Sequence, residues 1–283
     1  MKNLVNLIML FATLASISAQ ELFEVNGLCI KAPSSERLDE FVTFVDKTLA
    51  PAGINTLILR VDYNYAYESR PELRGKDPMT KAQVKKLVAV CKKNQIEIIP
   101  QVNLLGHQSW AEKVNLLLEV YPEFDETPHI QMPKDYKWPN DDGLYCKSYC
   151  PLHPEVHDVV FDLMDEIVEV YEAKSFHAGL DEVFYLADEN CPRCQGKDPA
   201  RLFAGEVSKI SNHLEQSGAR LWIWSDRLLD GSVNGIGLWE GSFNNTARAI
   251  DMIPSSVIIA DWHYVKPMPT PAYFAYKGFD VVA

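Results

Sequence analysis

The sequence predicts an α/β fold, a (β/α)8 TIM-type barrel of which seven strands can be read along the chain. Short apolar segments alternate with amphipathic helical patterns, which is typical of parallel βα units. No G-x-G-x-x-G motif follows the first strand, so the signal of a doubly wound dinucleotide-binding sheet is absent. Polar residues cluster instead after the strands, at the end where barrel enzymes place their sites.

The predicted strands are short, apolar and separated by helical segments. In chain order they cover residues 27–31, 56–63, 96–103, 175–181, 220–225, 257–262 and 279–282. A complete barrel has eight strands, each followed by a helix. We therefore expect an incomplete barrel, with the last strand and helices missing after Ala283.

The helices between these strands carry clear start and stop signals. Thr80 and Gln83 form the sequence pattern of a capping box, which predicts a helix start. Asp198 followed by Pro199 predicts another helix, which ends at Gly218. Three segments have apolar residues at helical spacing, and these stripes begin at Leu38, Val84 and Val156.

The N-terminal residues 1–19 have the pattern of a secretory signal peptide. Lys2 precedes an apolar run from Leu4 to Ile17, and small residues lead to Ala19. The run is too short to span a membrane. We therefore predict cleavage after Ala19, a single barrel domain over residues 20–283, and a secreted or periplasmic protein.

The charge of the chain restricts the class of partner. The formal net charge is -12 and the sequence pI is about 5.1. Nucleic-acid-binding proteins concentrate Lys and Arg, so this balance argues against a nucleic-acid partner. Neutral sugars fit the composition better, and no pattern in the sequence indicates an oligomeric state.

Two adjacent carboxylic acids, Asp181 and Glu182, end the fourth predicted strand. At the strand period of two, His177, Gly179 and Asp181 lie on one face. Paired acids are the residue types that a glycosidase uses for proton transfer and charge stabilisation. Because neighbouring carboxyls resist ionising together, one of them is expected to keep its proton near neutral pH. His177 is expected to orient Asp181 from the same face.

The segment from His177 to Glu182 resembles the H-x-G-x-D-E signature of glycoside hydrolase family 20, the β-N-acetylhexosaminidases. A second segment, which ends at Gly106-His107, is similar to that family's P-E-x-D-x-P-G-H motif. Three positions differ from that second motif, where Gln101, Asn103 and Leu105 replace Glu, Asp and Pro.

The resemblance implies a retaining hydrolase that removes terminal β-linked N-acetylglucosamine or N-acetylgalactosamine from glycans. In this family the acetamido oxygen of the substrate attacks the anomeric carbon. The resemblance implies that Glu182 is the general acid and later base, and that Asp181 orients the acetamide and stabilises the positive intermediate. It implies no cofactor for catalysis.

Further residues are candidates for substrate binding, and His177 is one of them. His107 corresponds to the histidine of the second family motif, and Trp262 is similar to the family's tryptophan at the end of the sixth strand. Trp224 lies near the C-terminal end of the fifth strand and Tyr264 follows the sixth, and aromatic rings stack well on sugars. Asp62, at the end of the second strand, is expected either to bind sugar hydroxyls or to form an interior ion pair with Arg60.

The cysteines form a second pattern. Cys146 and Cys150 follow the third strand, and a CxxC motif, Cys191 to Cys194, follows the fourth. Loops after neighbouring strands lie at the same end of a barrel, so these four thiols are expected to meet. They predict either a structural zinc site or two disulfides, and unpaired thiols remain a third reading.

Two alternatives to the acetamido-assisted hydrolase stay open at this point. A carbohydrate-binding relative, or an inactive fragment, would keep the pocket without the chemistry. A barrel glycosidase with ordinary double displacement would need a second carboxylate about 5 to 5.5 Å from Glu182.

Overall fold

The computed structural model describes residues 24–135, 146–263 and 266–283. The predicted signal peptide over residues 1–19 lies outside the described residues, and so does Tyr264. Among the helices of the described ranges, none combines the length and the apolar character needed to cross a membrane.

Seven parallel strands form one curled sheet, in the order in which they occur along the chain. They are β1 (Gly27–Lys31), β2 (Thr56–Arg60), β3 (Glu97–Leu104), β4 (Ser175–Gly179), β5 (Arg220–Trp224), β6 (Ile258–Ala260) and β7 (Asp280–Val282). Each strand pairs in parallel with the next, which confirms the predicted incomplete TIM-type barrel. A separate two-stranded hairpin, Ser109–Trp110 with Lys113–Val114, follows β3.

Helices of very different length connect the strands. They are α1 (Leu38–Phe44), α2 (Lys81–Lys93), α3 (Leu116–Val120), α4 (Val156–Tyr171), α5 (Pro199–Ser217), α6 (Gly231–Asn234) and α7 (Thr270–Tyr276). A π-helical turn, Val45–Leu49, extends α1, and short 3-10 turns cover Ser35–Arg37, Pro71–Leu73, Pro122–Phe124, Asp226–Leu228 and Thr246–Asp251.

The predicted helix boundaries are confirmed where the sequence carries a cap. The hydroxyl of Thr80 accepts from the amide of Gln83, whose side chain binds the Thr80 amide in return. The carboxylate of Asp198 accepts from the amide of Ala200 at 3.0 Å, and α5 ends at Gly218 with φ +73°. Both devices satisfy backbone groups that a helix end leaves without partners.

The sheet is apolar on both sides, as parallel strands between helices and a barrel interior require. Leu57 and Leu59 of β2 belong to the large core between the sheet and the helices. Ile58 points the other way, into a smaller cluster with Ile99 and Trp222. Trp222 therefore fills the barrel interior, and the residue is 5% exposed.

The strand predicted over residues 175–181 ends two residues early, at Gly179. Gly179 and Leu180 have φ values of +70° and +64°, in the left-handed region that breaks the strand. A Cβ atom on Gly179 would lie 2.4 Å from Oδ1 of Asn103, so only glycine fits beside β3. The chain therefore turns before Asp181, and the predicted alternation of faces does not reach this residue.

Candidate active site

The loop after β4 carries Asp181 and Glu182 against the loop after β3. Glu182 has φ +50°, and His107 has φ +53°. Such conformations are costly for residues with a Cβ atom and persist where surrounding contacts hold them. Gly106 provides one such contact, because a Cβ atom there would lie 2.4 Å from the Asp181 carbonyl oxygen. The loops after β3 and β4 are therefore in close backbone contact at the carboxyl edge of the sheet.

His107 contacts both acids. Its Nε2 lies 2.9 Å from Oδ2 of Asp181 and 3.3 Å from Oε2 of Glu182. Burial lowers the pKa of His107, but attraction and hydrogen bonding to Asp181 outweigh it and raise the pKa well above its usual range. Burial likewise raises the pKa of Asp181, and His107 reverses this effect and lowers it overall. The pair is therefore an imidazolium and a carboxylate near neutral pH.

Two further groups hold Glu182. Its backbone amide donates to Oδ2 of Asp226 at 2.9 Å, and the thiol of Cys146 donates to its Oε2 at 3.3 Å. Oδ2 of Asp226 also accepts from Nε of Arg227 at 2.6 Å, and both of these side chains are fully buried. Neither supporting residue was predicted from the sequence. The only signal for Asp226 was its place two residues after β5, and Cys146 was assigned to the cysteine group.

An open cleft of about 450 Å³ lies beside this group. Its lining comes mainly from the segments that follow β1, β2 and β3, and it includes Lys31, Arg60, Asp62, Asn103, His107 and Trp110. Asp181 and Glu182 are not among its lining residues, and their side chains are 16% and 11% exposed. Both acids contact His107, and His107 lines the cleft.

Asp62 lines the cleft and forms the expected ion pair with Arg60, and its contact with sugar hydroxyls stays a prediction. Its Oδ1 accepts from the amide of Asn103 at 2.9 Å, and its Oδ2 lies 3.4 Å from Nε of Arg60. Asn103 in turn accepts from the side chain of Gln101 at 2.7 Å. The two amide residues that replace acids of the family motif therefore bind each other and Asp62, while His107 pairs with Asp181.

His177 does not orient Asp181 through a hydrogen bond, which corrects the expectation for this residue. It is fully buried, and its Nδ1 accepts from the amide of Gly179 at 3.0 Å. The proton of the neutral ring therefore lies on Nε2. Burial lowers the pKa of His177 to about 3, against the opposing attraction of Asp181. The hydrogen bond to Asp181 comes from His107 instead, because the turn at Gly179 moves the acid off the strand face.

The burial of His177 predicts a loss of stability in mild acid. The unfolded chain takes up this proton near pH 6.5, whereas the folded chain takes it up only near 3. The free energy of unfolding should therefore fall as the pH drops through this window, and His177 should contribute about 1.4 kcal/mol of this loss per pH unit. Relative to His177→Gln, the wild type should lose about 2 kcal/mol of unfolding free energy between pH 7 and pH 5.

Urea unfolding of both proteins at the two pH values measures this difference, with the half-exposed His129→Gln as the matched control. An equal change in the wild type and His177→Gln would contradict a neutral buried ring.

Two aromatic residues that could stack on a sugar, Tyr63 and Trp110, line the cleft, and Trp110 is the exposed one. It is 55% exposed, lines the cleft, and its ring is stacked on His107 with centroids 6.2 Å apart. Trp224 is half-buried, and its ring lies 4.4 Å from that of His177. Trp262 is half-buried beside His263, with ring centroids 6.3 Å apart. Neither Trp224 nor Trp262 lines this cleft.

Two groups of side chains in the described residues have the donors and spacing to hold a metal ion. One is His107, Cys146 and Glu182, and the other is Glu126 with three cysteines, Cys150, Cys191 and Cys194. The expected meeting of four cysteines is therefore wrong for Cys146. The thiol of Cys146 lies against Glu182. Glu126 is the fourth member of the group with the other three cysteines.

Comparison with known proteins assigns the family. Residues 61–283, well over half of the chain, match the family model described as "Glycosyl hydrolase family 20, catalytic domain". A "Beta-hexosaminidase" of Akkermansia muciniphila is 30% identical over 142 residues, which is 50% of this chain and 27% of that protein. "Hexosaminidase D" of Bos taurus is 23% identical over 186 residues, which is 63% of this chain and 48% of that protein. The chain thus spans less than half the length of each relative.

Solved structures share the fold. The Flavobacterium johnsoniae chitobiase superposes with a TM-score of 0.66 at 18% identity, over 92% of this chain and 37% of that one. An exo β-N-acetylglucosaminidase of Vibrio harveyi, in complex with N-acetylglucosamine, gives a TM-score of 0.60 at 16% identity, over 92% of this chain and 40% of that one.

Proposed function

The chain belongs to glycosyl hydrolase family 20, and we propose that it removes terminal β-linked N-acetylhexosamine from oligosaccharides or glycoconjugates with retention of configuration. The observation that carries this proposal is the contact of His107 with both Asp181 and Glu182 at the carboxyl edge of the sheet. Relatives named beta-hexosaminidase and hexosaminidase D support the choice of sugar.

The proposed reaction uses an oxygen of the substrate as its nucleophile. The acetamido carbonyl oxygen attacks the anomeric carbon while Glu182 donates a proton to the departing glycosidic oxygen. The resulting oxazolinium ion carries a positive charge, which the carboxylate of Asp181 stabilises through the acetamide N–H. Glu182, now a carboxylate, takes a proton from a water molecule. The water oxygen attacks the anomeric carbon from the face that the leaving group vacated, and the bond from this carbon to the acetamido oxygen breaks, which opens the oxazolinium ring. The double inversion retains the β configuration.

His107 has a defined part in this scheme. Its imidazolium keeps Asp181 ionised, which the reaction requires of the group that faces a developing cation. Contact with Glu182 places the same ring beside the proton donor. The side chain of Trp110, stacked on His107 and exposed in the cleft, offers a face for the sugar ring.

The remaining expectations from the sequence belong to the same proposal. Residues 1–19 would direct the protein out of the cytoplasm, and residues 20–283 would form the catalytic barrel domain. The scheme uses no cofactor in the chemical steps. Substrate contacts of Asp62, His177, Trp224, Trp262 and Tyr264 stay predictions.

A non-catalytic carbohydrate-binding protein is the second candidate. The observation that favours it is the engagement of the acids with protein groups: His107 contacts both, Cys146 contacts Glu182, and neither acid lines the cleft. Such a protein would bind N-acetylhexosamine without releasing product.

A substrate comparison tests the proposal. The wild type is expected to release para-nitrophenol from N-acetyl-β-glucosaminide or N-acetyl-β-galactosaminide with a kcat/KM at least about 100-fold higher than from the β-glucoside, which lacks the internal nucleophile. Proton NMR of the first product should show the β-anomer. Equal turnover of the glucoside would indicate ordinary double displacement, and saturable binding of N-acetylglucosamine without turnover would indicate the binding protein.

A further inference from the structure

We propose that Glu126, Cys150, Cys191 and Cys194 form a structural zinc site that joins the loop after β3 to the loop after β4. One ligand atom from each of these four residues lies within 4.8 Å of all the others. All four residues are buried. Three thiolates and one carboxylate are a donor set that Zn²⁺ accepts in tetrahedral geometry.

The sulfur spacing fits a metal better than a disulfide. Sγ of Cys150 lies 3.4 Å from Sγ of Cys194 and 3.6 Å from Sγ of Cys191. In a tetrahedron with zinc–sulfur bonds of about 2.3 Å, neighbouring sulfurs are about 3.8 Å apart. A disulfide requires about 2.05 Å, and all six cysteines of the chain are unbonded in this structure. Closing any one disulfide would also leave the third thiol of the group without a partner.

Glu126 supplies an observation that is independent of the cysteines. It is fully buried, and its Oε1 accepts from the amide of Asp188 at 3.2 Å. Within the described part of the chain, its Oε2 is buried and meets no donor in full hydrogen-bond geometry, and the thiols of Cys191 and Cys194 interact with the same carboxylate. A buried carboxylate oxygen without a full hydrogen bond is costly, and a cation bound between it and the thiolates would remove that cost.

The backbone holds each ligand independently of any metal. The amide of Cys150 donates to Phe124 O at 2.7 Å, and the amide of Glu126 donates to Ser148 O at 3.1 Å. These bonds pair the two ligand-bearing segments on one side of the site. On the other side, the amide of Gln195 donates to Cys191 O at 3.0 Å and closes the turn of the CxxC motif. The ligands are thus preorganised by short local hydrogen bonds.

The position of the site gives it a structural purpose. The segment that contributes Cys150 also contains Cys146, which contacts Glu182, and the loop that contributes the CxxC motif also carries Asp181 and Glu182. A metal bound there would clamp the two loops that form the acid group without touching the reacting atoms. This proposal does not depend on the proposed function.

Metal analysis of the purified full chain, expressed with zinc and handled without chelator, tests the site. We expect about one zinc per chain, with three sulfurs at about 2.3 Å and one oxygen at about 2.0 to 2.2 Å by X-ray absorption. Cys191→Ser and Cys194→Ser should each lower the zinc content at least about tenfold. The matched controls Cys29→Ser and Cys146→Ser should keep it.

The wild-type measurement decides the proposal even if the cysteine variants do not fold. A metal-free wild type with fewer than six titratable thiols after denaturation would show a disulfide and overturn it. A metal-free wild type with all six thiols would overturn it as well. Zinc loss from Cys146→Ser, with zinc retained in Cys194→Ser, would place the metal at the His107 group and contradict this assignment.

Discussion

Replacing Glu182 with glutamine is expected to lower kcat for N-acetyl-β-hexosaminides by about 10³- to 10⁴-fold, because the amide cannot donate the proton that the leaving oxygen needs. The substitution keeps the shape of the side chain, and the Cys146 thiol can donate to the new carbonyl oxygen as it does to Oε2. Folding and substrate binding should therefore change little. The loss should appear in kcat and leave KM nearly unchanged.

The leaving group provides an internal check on this result. Para-nitrophenol departs with little protonation, so the loss should be smaller with aryl glycosides than with a disaccharide such as N,N'-diacetylchitobiose. The control is Glu189→Gln, an exposed acid on the same loop, which should retain wild-type activity. Equal turnover of the disaccharide by the wild type and Glu182→Gln would rule out Glu182 as the acid.

Replacing Arg227 with methionine is expected to lower the unfolding free energy by about 3 to 5 kcal/mol, the usual effect of breaking a buried ion pair on one side. The methionine would leave Asp226 as a buried carboxylate without its cation. It would also leave the carbonyl oxygens of Leu238 and Trp239 without the guanidinium that donates to both at 3.0 Å. Urea unfolding followed by circular dichroism measures the loss.

Two further variants separate the ion pair from general disturbance. Arg201→Met removes an exposed arginine from α5 and should change stability by no more than about 0.5 kcal/mol. The double variant Asp226→Asn with Arg227→Met removes both charges, so it should be more stable than Arg227→Met alone. If Arg227→Met had the same unfolding free energy as the wild type, this result would contradict the expected cost of leaving Asp226 buried without its cation.

Patterns that repeat along the chain were predicted well. The seven strands lie where alternation of apolar and helical segments placed them, because each βα unit buries its apolar face against its neighbours in sequence. The cap at Thr80 and the end of the helix at Gly218 depend on local hydrogen bonds and backbone conformation. Short segments of the sequence were therefore enough to predict them. The turn at Gly179 was not predicted, because the close approach that favours glycine there comes from Asn103 on another strand.

By itself, the sequence determined the type of fold, the acid pair at the carboxyl end of β4, and the grouping of cysteines on two neighbouring loops. Only the tertiary structure decided which groups touch these residues: His107 rather than His177 at Asp181, Asp226 and Cys146 at Glu182, and Glu126 beside the three cysteines. The physical reason is that residue types and periods are local properties of the chain. Contacts between loops depend on how several strands end. A single residue with a positive φ angle can redirect a side chain, and this change produces no periodic pattern in the sequence.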